Sequence, residues 1–384
     1  MAGDVNLLAV FTRAGTSNSI EVYRDGRVAP GGGVVNILLT AAELAAAGIT
    51  PGEYTVSFIA FDPDGNRIGQ YFGNPFARME GEPASRLEVV RGDIRSFDPA
   101  ILRGVEGVID VSGISNDPSC ELEPDLTRSV NVDGGRRLAT LAADAGVRRF
   151  VYSSSCSVYG HGEGLGLTET SGRHPVSLYA RAKAEMEDVL FEMHKRSPGF
   201  EVVALRLATV FGLSPRMRFD LAIDVMTKNA YVNRRIMVDG GGRQWRPFVH
   251  VRDVGDAFIL ALTSERKRVV GEVFNVGSNQ NNVQILNLAF RVRDAVPGTE
   301  VVHAPTDPDL RDYNVSFEKI HHALDYTTRK TIDDGIREVL AAIKDGLVDP
   351  DERRWYTLKQ YLFLREAERV VADLGLEGRL LAHS

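Results

Sequence analysis

The chain has 384 residues, 43 % of them hydrophobic, with 45 Lys+Arg against 52 Asp+Glu and a formal net charge of −7. That length accommodates one large domain or two smaller ones around a sizeable core, and the acidic balance, with no basic block, argues against nucleic-acid or membrane-surface partners. The longest apolar runs, around Phe258–Leu262 and Val202–Leu207, fall far short of a membrane span. The start of the chain lacks a signal-peptide pattern, and Cys120 and Cys156 stand in no metal-ligand spacing, so the reading is a soluble, cytoplasmic protein with no metal and no disulfide framework.

In chain order, residues 1–33 read as an N-terminal extension. Ser19–Val28 has the look of a strand pair around an Asp25-Gly26 turn, followed by a glycine-rich joint at Pro30–Gly33. From Val35 to Val276 short β-branched runs alternate with helical periodicity, the signature of parallel strands joined by crossover helices. The predicted strands are Asn36–Thr40, Thr55–Phe61, Leu87–Arg91, Gly107–Val111, Arg149–Ser153, Glu201–Leu205 and Val273–Val276. Leu126–Ala145 and Leu178–Met193 carry apolar residues every three to four positions, as helices covering a sheet do. The fold class that follows is α/β, a Rossmann-like doubly wound parallel sheet with a smaller C-terminal substrate-binding portion. Its predicted divisions are 34–205 for the sheet domain, completed by parts of 240–277, then 206–330 for the substrate portion and 331–384 for a helical tail.

The chemistry begins at Tyr179-Ala-Arg-Ala-Lys183. Positions i and i+4 share a helical face, where a fixed ammonium can lower the pKa of the phenol toward working pH and make it a usable acid/base. Alone, the pair reads more readily as an exposed aromatic beside a solvated lysine, since two residues fixed in five recur by chance. Upstream, Phe150-Val-Tyr-Ser153-Ser154-Ser155-Cys156-Ser157-Val-Tyr159-Gly160 is a buried strand releasing hydroxyls at its C-terminal end, where parallel sheets bind ligands. A serine there can share a substrate alcohol with the phenol.

Further motifs follow in order: Arg91-Gly92-Asp93-Ile94, Asn131-Val-Asp133-Gly134, Leu205-Arg206, Arg246-Pro-Phe-Val-His250-Val-x-Asp253 and Phe274-Asn275-Val-Gly277. From Leu87 to Lys319 the chain resembles the extended short-chain dehydrogenase/reductase family, in particular its NAD-dependent nucleotide-sugar epimerase/dehydratase branch. The resemblance implies a Rossmann fold, a tightly held nicotinamide cofactor and a catalytic set of Ser155, Tyr179 and Lys183. Ser155 is preferred to its neighbours because it stands three residues before Val158-Tyr159-Gly160, the family's offset. In the family scheme Tyr179 takes a proton from a sugar hydroxyl while hydride leaves the same carbon, and Lys183 holds the nicotinamide ribose. Rotation of the keto-sugar before hydride returns gives epimerisation.

By the same resemblance Asp93 and Ile94 flank the adenine, Ser112 and Gly113 lie near the pyrophosphate and ribose, and Asn131 closes the cofactor crevice. Asp93 reads equally as a helix cap. Asp62, after the second predicted strand, stands where an acid reads the NAD ribose, favouring NAD over NADP, although Asp62-Pro-Asp-Gly65 is also a plain turn. For the substrate, Arg246 matches the arginine that binds the diphosphate of a nucleotide sugar and Arg311 a second phosphate position, while Arg216 and Arg218 lie in the segment resembling the substrate loop. His250 reads as a packed strand residue. The family also implies a homodimer through the helices at Leu126–Ala145 and Leu178–Met193.

Two departures shape the expectation. The glycine fingerprint that lets backbone approach a pyrophosphate is missing: Asn36–Gly48 offers alanines and puts Glu43 where phosphate would lie. An earlier alternative, Leu7–Phe11 followed by Thr12–Ser17, leaves an insertion before Leu87 beyond usual loop lengths. Second, the positions after the catalytic serine, which are acidic in 4,6-dehydratases, are Cys156 and Ser157, poor acids for eliminating water, and Cys156 reads as a packing residue. The sequence therefore points to an NAD-dependent nucleotide-sugar epimerase. The alternatives are a reductase or dehydrogenase of a nucleotide sugar, and a non-redox member that has lost dinucleotide binding.

Overall fold

The structure, a computed structural model, describes residue 90, residues 92–304 and 311–370, the helical backbone on to Leu374, and the backbone of five strands between residues 4 and 79. The chain falls into two units, Met1–Arg91 and Gly92–Ser384.

The first unit holds β1 (Asp4–Arg13), β2 (Ser19–Arg27), β3 (Gly52–Phe61), β4 (Arg67–Phe72) and β5 (Ala77–Met79) in one sheet, with β1, β3 and β4 paired antiparallel in turn. Two expectations are corrected here. Ser19–Arg27 is one strand paired along its length with β1, Asp25 opposite Asn6 and Gly26 opposite Val5, so no turn forms at Asp25-Gly26. Thr55–Phe61 is a strand, but an antiparallel one lying outside the parallel sheet. Asn36–Thr40, Glu43 and Asp62 lie outside the described residues, as does Leu87–Arg91 apart from Val90.

The second unit carries the parallel sheet, with β6 (Gly107–Asp110), β7 (Arg149–Ser155), β8 (Glu201–Leu207) and, after β9 (Thr209–Phe211), β10 (Arg235–Asp239) and β11 (Trp245–His250), the strand β12 (Glu272–Val276). The order is β12-β8-β7-β6, every pair parallel. β6 leads through α1 (Asp117–Leu122), α2 (Pro124–Arg128), a π-helical turn and α3 (Gly135–Asp144) to β7; α4 (Leu178–Arg196) leads to β8.

Alternation along the strands explains the layering. Phe150, Tyr152 and Val202 pack with Ala139, Met186 and Leu190 of α3 and α4, while Val151, Val203 and Leu205 pack on the opposite face. That second face is covered by Ala257, Phe258 and Ala261 of α6 (Val251–Thr263), after α5 (Ala222–Asn233). Helices on both faces of a parallel sheet make the fold α/β and doubly wound.

The remaining elements build a second core. β10 pairs parallel with β14 (Glu300–Ala304), and β11 joins β9 to β13 (Asn282–Gln284). Phe211, Ile223, Phe248, Leu288 and Ile336 meet there, drawn from these strands and from α5, α8 (Ile285–Ala295) and α10 (Ile332–Lys344). The short α7 (Arg266–Val269) and α9 (Glu318–Leu324) and the last helix, α11 (Thr357–Leu374), complete the unit.

Candidate active site

β7 ends on Ser155, and α4 begins just before Tyr179, capped by Ser177, whose hydroxyl accepts from the Ala180 N–H at 3.2 Å. This brings the three predicted catalytic residues together. The Tyr179 phenol lies near enough to Ser155 for that hydroxyl to favour its ionised form. Ser155 Oγ accepts from the Ser157 N–H at 3.1 Å and the Ser157 hydroxyl at 2.9 Å. Lys183, one helical turn on, donates from Nζ to the Ser153 carbonyl at 2.6 Å and lies 5.8 Å from the centre of the Tyr179 ring.

The electrostatics differ from the sequence expectation. Burial pushes the Tyr179 phenol up to about 12, against the Ser155 hydroxyl and the Arg218 charge that favour its ionised form. Burial also pushes Lys183 down, with Asp110 at the end of β6 acting against it. Desolvation thus outweighs the cationic neighbourhood, and the phenol rests as a proton donor.

A buried network behind the trio escaped the sequence reading. Glu187 continues the Tyr179–Lys183 face of α4 by another turn. It accepts from Ser154 Oγ at 2.5 Å and pairs with Arg206, which also donates to the Tyr159 hydroxyl at 3.0 Å. The i+8 acid following the Tyr–Lys pair and the Leu205-Arg206 motif were its available signals. Cys156 is sealed in the core with its thiol raised by burial, donating to the Arg206 carbonyl at 3.2 Å, as a packing residue does.

The residues expected on the cofactor are partly gathered. At the C-terminal end of β6, Ser112 donates to Asp110 at 2.6 Å, and Asn131 holds Ile114 by both backbone groups, at 2.7 and 2.9 Å. Gly113 sits at φ +136, and a β-carbon there would come within 3.1 Å of the Asn131 carboxamide oxygen. Bare backbone at Gly113, next to a serine bound to the Asp110 carboxylate whose charge reaches Lys183, suits close approach by a dinucleotide. The adenine half fits less well. Asp93 is exposed and its carboxylate is taken by Arg95, from the backbone at 2.8 Å and Nε at 2.9 Å, which holds it down to about 2. Its carbonyl accepts from the Ser96 and Phe97 N–H groups in a turn, and the next helical element, Pro99–Leu102, is capped by Asp98, so Asp93 caps no helix. Ile94 packs on Gly134.

Of the four substrate arginines, two line one cavity of about 340 Å³, together with Thr209, Asp220, Asn229 and Tyr313: these are Arg246, buried on β11 and stacked 5.2 Å from the Tyr313 ring, and Arg311. Arg311 pairs with Asp117 at 2.6 Å. Arg218 pairs with Asp220 at 2.8 Å and donates to Ser115 Oγ at 3.2 Å, near enough to Tyr179 for its charge to act on the phenol. Arg216 is exposed and stands outside the residues that line this cavity. His250 is fully buried, edge-on to Phe211 and 2.8 Å from Glu338, a packed residue as read. Among the described residues no cluster of metal-ligating side chains occurs and no helix is long and apolar enough to cross a membrane.

Residues 70–277 match the family model described as the NAD dependent epimerase/dehydratase family, a match that starts after the Asn36–Gly48 segment. The chain is 29 % identical over 220 residues to dTDP-D-glucose 4,6-dehydratase of Mus musculus, covering 55 % of this chain and 60 % of that protein. It is 31 % identical over 206 residues to the Homo sapiens enzyme of the same name, covering 50 % and 55 %. The chain thus spans little more than half the length of these mammalian relatives. With UDP-glucose 4-epimerase of Streptococcus mutans it shares 28 % over 287 residues, covering 69 % of this chain and 84 % of that protein. Among solved structures, DesIV, a dTDP-glucose 4,6-dehydratase from Streptomyces venezuelae with NAD and TYD bound, superposes with a TM-score of 0.61 at 25 % identity, covering 74 % of this chain and 85 % of that one.

Proposed function

The chain belongs to the NAD dependent epimerase/dehydratase family, and from that premise we propose that it is an epimerase of a nucleotide-activated sugar, working with NAD. The observation that carries the reading is the convergence of Ser155, Tyr179 and Lys183 at the end of β7, in the unit whose cavity presents Arg246 and Arg311.

Arg246 and Arg311 suit a diphosphate because guanidinium forks match phosphate oxygens. Ser155 would hold the reacting hydroxyl, and Tyr179 would take its proton and give it back. NAD would supply a reversible hydride acceptor for the same carbon, so that proton and hydride are both restored and no cofactor is consumed. Tyr179, Lys183, Ser112, Gly113 and Asn131 are the residues that would hold its nicotinamide half. A neutral phenol is the form that protonates a carbonyl oxygen, and the Arg218 cation favours the phenolate needed for the opposite transfer. Epimerisation is preferred to dehydration because Cys156 and Ser157 follow Ser155: one is a sealed thiol and the other a hydroxyl bound to Ser155. A homodimer in the cytoplasm belongs to the same reading.

A second reading, a nucleotide-sugar binder without redox chemistry, is favoured by one feature, the alanines and Glu43 in Asn36–Gly48 where a pyrophosphate loop needs glycine. The test is to incubate the full chain and Tyr179→Phe with UDP-glucose, UDP-glucuronic acid and dTDP-glucose and to follow the sugars by proton NMR. An inverted sugar centre from at least one substrate, lost in Tyr179→Phe and without accumulation of reduced nicotinamide, supports the epimerase. Net reduced nicotinamide points to a dehydrogenase. Absence of turnover, with no nicotinamide absorbance released from the denatured protein, favours the binder.

A further inference from the structure

The cavity arginine Arg311 already holds an anion. Its NH1 meets Asp117 Oδ2 at 2.6 Å, a contact between residues 194 apart in the chain that brings a carboxylate from the start of α1 against an arginine lining the substrate cavity. A carboxylate and a phosphate present the same paired oxygens to a guanidinium, so they compete for one fork.

Three features show that Asp117 is held at Arg311 by its surroundings. Its second oxygen, Oδ1, is buried without a hydrogen-bond partner among the described residues, a state that folded proteins rarely keep. The residue before it, Asn116, has φ 72 and ψ 149, a left-handed φ that a residue with a β-carbon adopts at a cost in strain. Asn116 is kept there by its side chain, which accepts from the Ser119 N–H at 2.9 Å and donates to Asp220 Oδ2 at 2.6 Å. Ser115, one residue earlier, accepts from Arg218 at 3.2 Å. Consecutive residues 115, 116 and 117 therefore bind three substrate-side residues, Arg218, Asp220 and Arg311, and the last of these bonds leaves a carboxylate oxygen unsatisfied.

We propose that Asp117 is an internal stand-in for substrate phosphate: it occupies Arg311 until a nucleoside diphosphate displaces it, and so sets the affinity of the cavity and its preference for diphosphates. The proposal rests on the reading of the cavity as a nucleotide-sugar site. Displacement exchanges a carboxylate with one orphaned oxygen for a phosphate, and it returns Asp117 to water.

Calorimetric titration of the full chain with UDP and dTDP tests this, comparing wild type, Asp117→Asn, Asp117→Ala, Arg311→Met and the double variant Asp117→Asn/Arg311→Met. Removing the competitor raises the fraction of competent sites, so both Asp117 variants are expected to bind about 1.5-fold to fivefold more tightly, the range of a partly exposed ion pair. Arg311→Met binds more weakly, and Asp117→Asn adds nothing in its background. UMP, with no second phosphate, gains less than UDP. Asp117→Asn is nearly isosteric, which keeps the comparison usable if the alanine variant folds poorly. Wild type that binds UDP or dTDP while both Asp117 variants bind no more tightly overturns the proposal and leaves the nucleotide-sugar reading standing. If neither wild type nor any variant binds UDP, dTDP, GDP or ADP, that reading falls and this one with it.

Discussion

Arg206 and Glu187 meet as a doubly hydrogen-bonded ion pair, Nε to Oε1 at 2.9 Å and NH2 to Oε2 at 2.7 Å, with both side chains almost sealed from solvent. The pair joins β8 to α4, and through the Ser154 hydroxyl it reaches β7 one residue before Ser155. Three elements that must agree in register for the trio to form are fixed by one carboxylate. Glu187→Ala leaves the Arg206 guanidinium buried with its main partner gone, a change that costs about 3–5 kcal/mol. Urea denaturation measures it, and a loss below about 1 kcal/mol would show that the pair is not what holds these elements.

Tyr179 carries the acid/base role in the proposed reaction, so Tyr179→Phe is expected to lower turnover by about 10²–10⁴ while leaving the melting temperature near wild type. The pH dependence follows from a phenol pushed up to about 12. Below that value the phenolate fraction grows about tenfold per pH unit, so the proton-abstraction half of the reaction accelerates from pH 7 toward pH 10. Arg218→Met removes a cation that favours the phenolate and displaces the profile to higher pH. A rate flat between pH 7 and 10, with proton transfer shown to be limiting, contradicts the assignment.

Much of this site was legible because it is local in the chain. Tyr179 and Lys183 lie a helical turn apart, and Ser155 ends the strand that α4 packs against, so strand, helix and spacing together anticipated their meeting. The Asp117–Arg311 contact was not legible, since no periodicity links residues 194 apart. Thr55–Phe61 shows a different limit: alternating β-branched and aromatic residues announce a strand but do not say which neighbour it takes or in which direction. Asp25-Gly26 is a turn signal overridden by the continuous register with β1. Arg216 and Arg218 were indistinguishable by sequence: both alternate with the core residues Met217 and Phe219, and what separates them is that Arg218 is held by Asp220 and Ser115 while Arg216 is left exposed.

Gly160 ends the Val158-Tyr159-Gly160 motif at φ +60, and a β-carbon there would fall 1.7 Å from the His174 carbonyl oxygen. The His174 N–H in turn donates to the Val158 carbonyl at 2.9 Å, so this contact anchors the segment that runs into α4 and Tyr179. Gly160→Ala must move backbone, which has no flexible end to yield. The expected result is destabilisation of about 1–3 kcal/mol or more, with turnover falling further than stability because Tyr179 shifts from Ser155. Full activity at wild-type stability would mean that the segment relaxes freely.

Asp224 on α5 is almost wholly buried and accepts only the Gly212 N–H, at 3.2 Å, among the described contacts; burial pushes its carboxyl up to about 8. The folded chain therefore holds a proton that the unfolded chain, with an ordinary carboxyl near about 4, has released. Between about pH 4 and 8 folding takes up that proton, so stability contributed by the neutral form is present at the acid end and declines as pH rises through the window. Glu338 has the opposite sign: held down to about 2 mainly by His250 and Lys330, it loses its contribution as pH falls below about 4.5, outside the range of interest. Asp253, also raised by burial, slopes in the same sense as Asp224 but is common to wild type and variant, and cancels in their difference. Asp224→Asn keeps the shape and cannot ionise. Its stability advantage over wild type, measured by urea denaturation, is expected to widen steadily from pH 5 to pH 8; an advantage that stays constant across those values means that Asp224 is already ionised in the folded chain.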